Sequence, residues 1–334
     1  MSGADEILAA VRRLGLLGPE ETAPLEPLTG GVSSDIWRVD LPGGAVCVKR
    51  ALEKLKVAAE WRAPVTRNAT EVDWIQTAAA IVPDSVPRIR GHDPSIGAFA
   101  MDFLPPDRYP LWKAMLRDGV ARTADATAVG DRLGRIHAGT ARNEVLARRF
   151  ATDEMFHALR LGAYLEAAAL KHPDLAPQIA ALVHRTATTK LVLVHGDISP
   201  KNILIGANAP MFLDAEAAWY GDPAFDLAFC LNHLLLKCLW NPAAAPQFLD
   251  CFAALRDAYM ARVTWEEAAS VEMRTATLLP GLFLARVDGK SPVEYLTDEA
   301  DRNLVRRVAR QFLAAPVERL ELIRRHWGDA LNDR

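Results

Sequence analysis

Apolar positions along the chain follow two different periods, and the change from one to the other divides the sequence into two parts. Up to residue 103, short runs of alternating apolar residues are separated by Gly and Pro turns and predict β-strands. Beyond that point the apolar positions recur mostly at helical spacing. The pattern therefore predicts an α+β protein, with a small, mostly antiparallel β-sheet lobe that carries one main helix and a larger, mostly helical lobe.

Turn residues set the bounds of the predicted elements. In the first part, helical spacing covers 6–17 and 69–80, and β-type runs cover 28–39 (two strands around a glycine turn), 45–49, 87–90 and 98–103. In the second part, the predicted helices cover 124–142, 153–169, 177–186, 225–239, 246–260, 265–277 and 299–314. Leu104-Pro105-Pro106 separates the two parts, so we expect lobes at residues 1–103 and 104–334.

Composition and charge narrow the class of protein. The chain has 334 residues, of which 50% are hydrophobic, and a net charge of −3, which gives no reason to expect nucleic acid as a partner. The apolar stretch 225–240 is interrupted by Asp226, Asn232, His233 and Lys237, so it predicts a buried helix and not a membrane span. The cysteines lack disulfide or zinc spacing, and acidic residues near the first methionine argue against a signal peptide. We expect a cytoplasmic protein, monomeric or homodimeric, without a membrane partner.

The segment with the most chemical content is a polar loop between two β-type runs. It carries His195, Asp197 and Asn202, and a third β-type run ends on Asp214. An aspartate can orient a hydroxyl group and accept its proton, and carboxylate and amide oxygens are the ligands that Mg²⁺ prefers. The spacing is similar to that of the phosphoryl-transfer loop of the protein-kinase-like fold. It predicts that Asp197 acts on a hydroxyl acceptor and that Asn202 and Asp214 hold Mg²⁺ against the phosphates of ATP.

The residue types in these motifs resemble those of the aminoglycoside phosphotransferase and choline kinase superfamily. Residues 195–197 are His-Gly-Asp where protein kinases have His-Arg-Asp, and residues 214–216 are Asp-Ala-Glu in place of Asp-Phe-Gly. Residues 220–228 resemble the Gly-Asp-Pro-x-x-Asp-Leu-Ala segment of that superfamily. The resemblance implies a protein-kinase-like two-lobed fold that uses ATP and Mg²⁺. The Asp-x-Glu pattern also resembles methylthioribose kinases, so Glu216 is either a second metal ligand or a surface acid.

A glycine-rich segment lies within the first β-type run. The resemblance places a loop over the ATP phosphates at residues 30–34, Gly-Gly-Val-Ser-Ser. Glycine allows backbone N–H groups to approach phosphate oxygens closely, and short hydroxyl side chains can also donate to them. We expect phosphate contacts from Gly30, Gly31, Ser33 and Ser34, although the same sequence also fits an ordinary hairpin turn.

Lys49 ends the next strand and is the expected phosphate-binding lysine. Alternation along 45–49 places it on the face opposite to that of Val46 and Val48. The resemblance implies that Lys49 contacts the α- and β-phosphates and pairs with a helix carboxylate. Glu71 is the first choice for that partner, and Glu60 is the alternative.

Adenine is expected where the two parts of the chain meet. The resemblance implies that backbone N–H and C=O groups read the base, so side-chain identity is permissive there. We expect adenine contacts from the backbone of Asp102, Phe103 and Leu104.

The remaining polar residues have supporting or open roles. Lys201 precedes Asn202 and is a candidate for contact with the γ-phosphate. The resemblance implies that His195 supports the loop, and Asp226 is expected either to cap a helix or to brace the loop. Arg286 either meets an anionic or polyhydroxylated substrate or is a solvated charge at a helix end.

These expectations favour an ATP- and Mg²⁺-dependent kinase of a small-molecule hydroxyl, on a sugar-like metabolite, an amino alcohol or an aminoglycoside. A non-catalytic kinase-like binding protein is the alternative, and it is expected to lack at least one of Lys49, Asp197, Asn202 and Asp214, all of which are present. A protein kinase is disfavoured because the chain has no Ala-Pro-Glu segment and no long activation loop after Asp214.

Overall fold

The computed structural model describes residues 3–28, 34–52 and 67–333 and divides the chain into two compact units. The first comprises Met1–Tyr109 and Met211–Glu216, and the second comprises Pro110–Pro210 and Ala217–Arg334. The sequence places the boundary after residue 103, whereas the first unit continues to Tyr109. The added residues form a turn in which the Tyr109 N–H group donates to the Pro105 carbonyl at 2.9 Å.

A five-stranded sheet, antiparallel throughout, forms the first unit in the strand order β1-β2-β3-β5-β4. Its elements are α1 (Gly3–Arg13), β1 (Leu25–Pro27), β2 (Ser34–Leu41), β3 (Gly44–Ala51), α2 (Arg67–Ala79), β4 (Ile89–Asp93) and β5 (Ala98–Asp102). The small antiparallel sheet with one main helix, α2, is confirmed.

The strand β3 is buried on both faces. Val46 and Val48 belong to a buried apolar cluster that includes residues of α1. Lys49 lies between Ile36 of β2 and Phe99 of β5 in the register of the sheet and is also buried. A lysine in such a position needs a partner, because an unpaired buried charge is expensive.

The first strand lies earlier than the sequence suggests. The β-type run predicted from residue 28 corresponds to β1 at Leu25–Pro27, with pairing extended by the Leu28 N–H group, which donates to the Ile36 carbonyl at 2.8 Å. An edge strand tolerates proline because its outer side needs no donor. Residues 29–33, which include the predicted phosphate contacts Gly30, Gly31 and Ser33, lie outside the described residues. Ser34 begins β2 and is buried.

Helices make up most of the second unit, as predicted. They are α3 (Trp112–Arg117), α4 (Thr123–Thr140), α5 (Glu144–Arg149), α6 (Asp153–Phe156), α7 (Ala167–Lys171), α8 (Ala176–Thr188), α9 (Ala224–Trp240), α10 (Ala245–Met260), α11 (Ala268–Asp288), α12 (Glu299–Ala314) and α13 (Leu320–Asn332). Helix α9 is buried from Ala224 to Leu239, and α10, α11 and α13 pack against it.

Several helices differ from their predicted bounds. The helix predicted at 265–277 begins at Ala268 and continues through Pro280 to Asp288. Pro280-Gly281 is a turn signal, but residues 278–288 are all buried, and tertiary packing outweighs it. The helix predicted at 153–169 contains a π-helical stretch, His157–Glu166, between α6 and α7. Helices α3 and α5 are too short to show a period, and α13 was not predicted.

Four short strands, β6 (Val192–Val194), β7 (Ile203–Ile205), β8 (Pro210–Phe212) and β9 (Trp219–Gly221), accompany the helices. Antiparallel pairing of β6 with β9 fixes the start of the polar loop, which runs from His195 to Asn202 and leads into β7. No helix in the described part of the chain is both long and apolar enough to cross a membrane.

Candidate active site

Lys49 is the centre of a buried charge network in the first unit. Its Nζ atom lies 2.6 Å from Glu71 Oε2 in α2 and also donates to Asp214 Oδ1. The other oxygen of Glu71, Oε1, accepts a hydrogen bond from the Asp214 N–H group at 3.1 Å. The structure therefore pairs Lys49 with Glu71, the first choice from the sequence, while Glu60 lies outside the described residues.

Burial and charge act in opposite directions on this network. Burial lowers the pKa of Lys49, but the neighbouring carboxylates of Asp214 and Glu71 outweigh it, and the net shift of that pKa is upward. Burial raises the pKa of Glu71 to about 7, although the Lys49 ammonium pulls in the other direction. Lys49 is thus held in its charged form, in contact with Asp214.

Asp214 is the most accessible acid of the network. Its side chain is 28% exposed, compared with 2% for Glu71 and 12% for Glu216. Its backbone is left-handed, with φ of 67°, a conformation that costs a non-glycine residue roughly 1–2 kcal/mol and that aspartate tolerates better than most. The Glu71 carboxylate holds this backbone through the Asp214 N–H group. Asp214 is therefore the carboxylate best placed to serve as a metal ligand.

Glu216 has a protein partner. Arg67 Nε donates to Glu216 Oε2 at 3.1 Å, and Arg67 NH2 donates to the Leu52 carbonyl at 2.5 Å. Arg67, at the start of α2, is fully buried and was missed in the sequence, where no motif marks it. Glu216 is accordingly a partly buried acid in an ion pair and not a surface acid. A metal role for it stays a prediction.

The predicted adenine-binding stretch has one unused backbone donor. The Asp102 N–H group donates to the Arg88 carbonyl at 3.0 Å, and the Phe103 N–H group donates to the Ala45 carbonyl at 3.4 Å. The Leu104 N–H group has no such partner among the residues that the structure describes. If adenine binds along this stretch, Leu104 is the residue whose N–H group can donate to it.

In the second unit, the carboxylate of Asp226 clamps the start of the polar loop. It accepts hydrogen bonds from the His195 N–H group at 2.7 Å and the Gly196 N–H group at 2.8 Å. His137 Nε2 lies 3.3 Å from the same carboxylate, and Tyr259 Oη lies 2.8 Å from His137 Nδ1. Asp226 makes no capping bond at the start of α9. Of the two roles expected for Asp226, the structure shows that it braces the loop and does not cap the helix.

Gly196 occupies a position that no other residue can take without strain. Its φ is 81°, and a Cβ atom built there would lie 2.4 Å from the Ala217 carbonyl oxygen. This close approach explains why the loop has glycine where protein kinases have arginine.

Two cations hold Asp197, the predicted catalytic residue. Arg160 NH2 lies 3.2 Å and Lys201 Nζ 3.0 Å from Asp197 Oδ2. Arg160 also donates to the Gly196 carbonyl through Nε and to the Leu159 carbonyl through NH1 at 2.9 Å. Arg160 lies in the π-helical stretch and was missed in the sequence, where a lone arginine between two leucines was the available signal. Lys201, the candidate for contact with the γ-phosphate, contacts Asp197, and its phosphate contact stays a prediction.

Asn202 is fixed by the same loop. Its Nδ2 atom donates to the Asp197 carbonyl at 3.0 Å, and its N–H group donates to the Ser199 carbonyl at 2.9 Å. This leaves Oδ1, a neutral oxygen donor suited to Mg²⁺, outside these two bonds. Within the described ranges, no group of three or more His, Cys, Asp or Glu residues forms a metal site.

Arg286 is buried and is not a solvated charge at a helix end. It lies in the last turn of α11, and its NH1 atom donates to Tyr164 Oη at 3.3 Å and to Ser291 Oγ at 3.3 Å. Burial of a guanidinium beside a tyrosine hydroxyl is consistent with the substrate role considered in the sequence, which stays a prediction.

Comparison with known proteins decides the family. The model of the phosphotransferase enzyme family matches residues 24–262. The chain belongs to this family. The chain is 25% identical over 266 residues to methylthioribose kinase of Cronobacter sakazakii, a match that covers 71% of this chain and 66% of that relative, just under two thirds of its length.

Solved structures show that the chain has the kinase-like fold. Amicoumacin kinase in complex with AMP-PNP, Ca²⁺ and Ami aligns with a TM-score of 0.55 and 14% identity over 95% of both chains. A choline/ethanolamine kinase family protein from Mesorhizobium loti aligns with a TM-score of 0.53 and 17% identity, over 98% of this chain and 99% of that one. The predicted two-lobed fold and the recognised superfamily are confirmed.

Replacing Gly196 with alanine should destabilise the protein. The new Cβ atom meets the Ala217 carbonyl in addition to the left-handed backbone, so we expect Gly196→Ala to lower the free energy of unfolding by more than about 2 kcal/mol. Gly15→Ala is the matched control, because Gly15 has φ of 70° with no atom within 4 Å of the added Cβ. Urea denaturation measures both variants, and equal losses would contradict the close approach.

Lys49 and Glu71 should be energetically coupled, so that the two single variants together lose more stability than the double variant. We expect Lys49→Met and Glu71→Gln each to lower the free energy of unfolding, by up to about 3–5 kcal/mol, because each leaves a buried group without its partner. The double variant should lose less than the two single losses combined. Arg50→Met is the control, since Arg50 pairs with Glu6 and Asp35 and is 24% exposed. Additive losses in urea denaturation would show that the pair is not coupled.

Proposed function

We propose that this phosphotransferase transfers the γ-phosphate of ATP to a hydroxyl group of a small molecule, with Mg²⁺ as cofactor. The observation that carries the proposal is the contact of Lys49 with both Glu71 and Asp214. A kinase needs a fixed ammonium beside its metal-binding carboxylate, because phosphoryl transfer depends on positioning and charge neutralisation. A protein that only binds a ligand has no such requirement.

Lys49, Glu71 and Asp214 of the first unit supply groups for the nucleotide, and Asn202 belongs to the polar loop. Lys49 offers a compact positive charge to the phosphates, and Glu71 keeps that charge in place. Asp214 and Asn202 are the residues that would hold Mg²⁺, which neutralises phosphate oxygens when it is bound. Their oxygen donors match the preference of this ion. Glu216 is available as a further donor only if it gives up part of its bond with Arg67.

Asp197 acts on the acceptor. Its carboxylate orients the hydroxyl group and takes its proton as the acceptor oxygen forms a bond to the γ-phosphorus. The bond from that phosphorus to the bridging oxygen of ADP breaks in the same process, and the proton passes to solvent. Arg160 and Lys201 fix the carboxylate, so it needs no reorganisation before it meets the hydroxyl group.

The first test is ATP turnover by the full chain with a panel of small alcohols, followed by ADP release and by ³¹P NMR of the phosphorylated product. We expect Asp197→Asn to leave nucleotide affinity largely unchanged and to lower kcat by about 10²–10⁴, the usual contribution of a positioned acid–base group. Asp214→Ala should abolish transfer and weaken Mg·ATP binding, because it removes the charged ligand.

Two results would contradict the proposal. Near-normal turnover by Asp214→Ala at saturating Mg²⁺ would remove Asp214 from the metal site. Nucleotide binding without transfer to any member of the panel, and with no difference between the wild type and Asp197→Asn, would favour a non-catalytic binding protein.

A further inference from the structure

Two basic side chains on α9 are buried without acidic partners. Lys237 is 1% exposed, and its Nζ atom lies 3.8 Å from the Tyr295 ring centroid and 4.2 Å from that of Trp240. In the described part of the chain it forms no ion pair. His233, one helical turn earlier on the same face, is 5% exposed, and its Nε2 atom has no hydrogen-bond partner there.

A third basic side chain, that of Arg286, completes a group with His233 and Lys237 that we call the basic cluster. Arg286 is 7% exposed and donates only to neutral groups, those of Tyr164 and Ser291, while its Nε atom has no partner among the described residues. Each member of the basic cluster thus retains capacity to bind an anion.

Nearby acids do not neutralise the cluster. Glu294 forms an ion pair with Lys113 Nζ at 2.5 Å, and Asp197 is held by Arg160 and Lys201. Asp288, two residues after Arg286, is occupied by His172 and Arg306. The surroundings therefore carry more positive than negative charge.

The pKa values of the groups in this region respond to that excess. Burial and then Lys113 lower the pKa of Lys237, Glu294 raises it, and Arg286 lowers it to a smaller extent, so that the net pKa is about 6. Burial and the same kind of neighbours, Arg286 first, lower the pKa of His233 well below its ordinary value. Burial raises the pKa of Tyr164, but the guanidinium groups outweigh it and the net shift is downward.

The basic cluster lies near the polar loop that contains Asp197. Arg286 donates to Tyr164 Oη, and the guanidinium carbon of Arg160 lies 6.0 Å from the Tyr164 ring centroid. Arg160 in turn contacts Asp197. Tyr164 and Arg160 therefore connect the basic cluster to Asp197.

We propose that the basic cluster binds an oxyanion of the phosphate acceptor, so that the acceptor is a hydroxylated carboxylate or a phosphate monoester. This inference rests on the proposed kinase function and names its substrate class. Burial disfavours the charged forms of Lys237 and His233. A bound oxyanion would favour those forms, because it would accept charge-assisted hydrogen bonds from them and from Arg286. A cationic acceptor, such as choline or an aminoglycoside, would be repelled by the same groups.

The test compares acceptors that differ only in charge. D-glycerate and glycerol 3-phosphate carry an oxyanion, glycerol is neutral and ethanolamine is cationic. We expect kcat/KM for at least one anionic acceptor to exceed those of glycerol and ethanolamine about tenfold or more. Preference for glycerate identifies a carboxylate, and preference for glycerol 3-phosphate identifies a phosphate monoester. Equal or higher kcat/KM for the neutral or cationic acceptor overturns the inference.

Charge removal tests the residues themselves. Lys237→Met and Arg286→Met should reduce the ratio of anionic to neutral kcat/KM toward one, mainly through KM for the anionic acceptor. Lys190→Met is the matched control, because Lys190 Nζ also lies near a tryptophan ring, 4.0 Å from that of Trp219, but is paired with Asp153 outside the cluster. A ratio that changes equally in all three variants overturns the assignment.

Stability provides a readout independent of turnover. Because Lys237 is a buried basic group without an acidic partner, we expect Lys237→Met to raise the melting temperature of the ligand-free protein by a few degrees. A lower melting temperature would show that the lysine supports the fold and would overturn its role in binding.

Failure of this inference is distinguishable from failure of the kinase function. Binding of glycerate and glycerol 3-phosphate is measured by calorimetry without ATP, in the wild type and in Lys237→Met. Anion binding that depends on Lys237, without transfer to any acceptor, would reject the kinase function and keep the site. Transfer that proceeds only to neutral or cationic acceptors would reject the site and keep the kinase function.

Discussion

The carboxylate of Asp226 is the constraint on which the second unit depends. It is fully buried, and such a charge is tolerated only when hydrogen bonds replace its hydration. The N–H groups of His195 and Gly196 provide them, and the position of Asp226 in the first turn of α9 adds the favourable end of the helix dipole. The polar loop is therefore tied to the most deeply buried helix of the unit, so a group on that loop is positioned by the core and not by the surface.

Sequence patterns predicted the site residues that lie close together along the chain. Asp197 and Asn202 stand at short, fixed spacing between β-type runs, and alternation within one strand was enough to separate Lys49 from the two valines. Contacts between distant residues leave no such pattern. Arg160 contacts Asp197 across more than 30 positions, and Arg67 contacts Glu216 across 149. The passage of α11 through Pro280 is a tertiary effect of the same kind, because burial of its neighbours decides it.

Buried basic side chains have different partners in the two units. In the first unit, Lys49 is matched by Glu71 and Asp214, and Arg67 by Glu216, so each cation has an acid of its own. In the second unit, Lys237 and Arg286 face aromatic rings, a hydroxyl group and a carbonyl group instead. Paired charges in the first unit fix a conformation, whereas Lys237 and Arg286 in the second unit have no acid to offset the cost of burying their charged forms.

The contact of Arg160 with Asp197 depends on the number of residues in the π-helical stretch His157–Glu166. In an α-helix each residue turns the side-chain direction by about 100°. Loss of a single residue ahead of Arg160 would rotate its guanidinium group by that angle, away from Asp197, although every side chain involved in the contact would still be present. A wide turn of this kind arises when one residue is accommodated in a helix without a change in its ends. Insertion or deletion at this place is therefore a way to alter the polar loop that residue-by-residue substitution would never reveal.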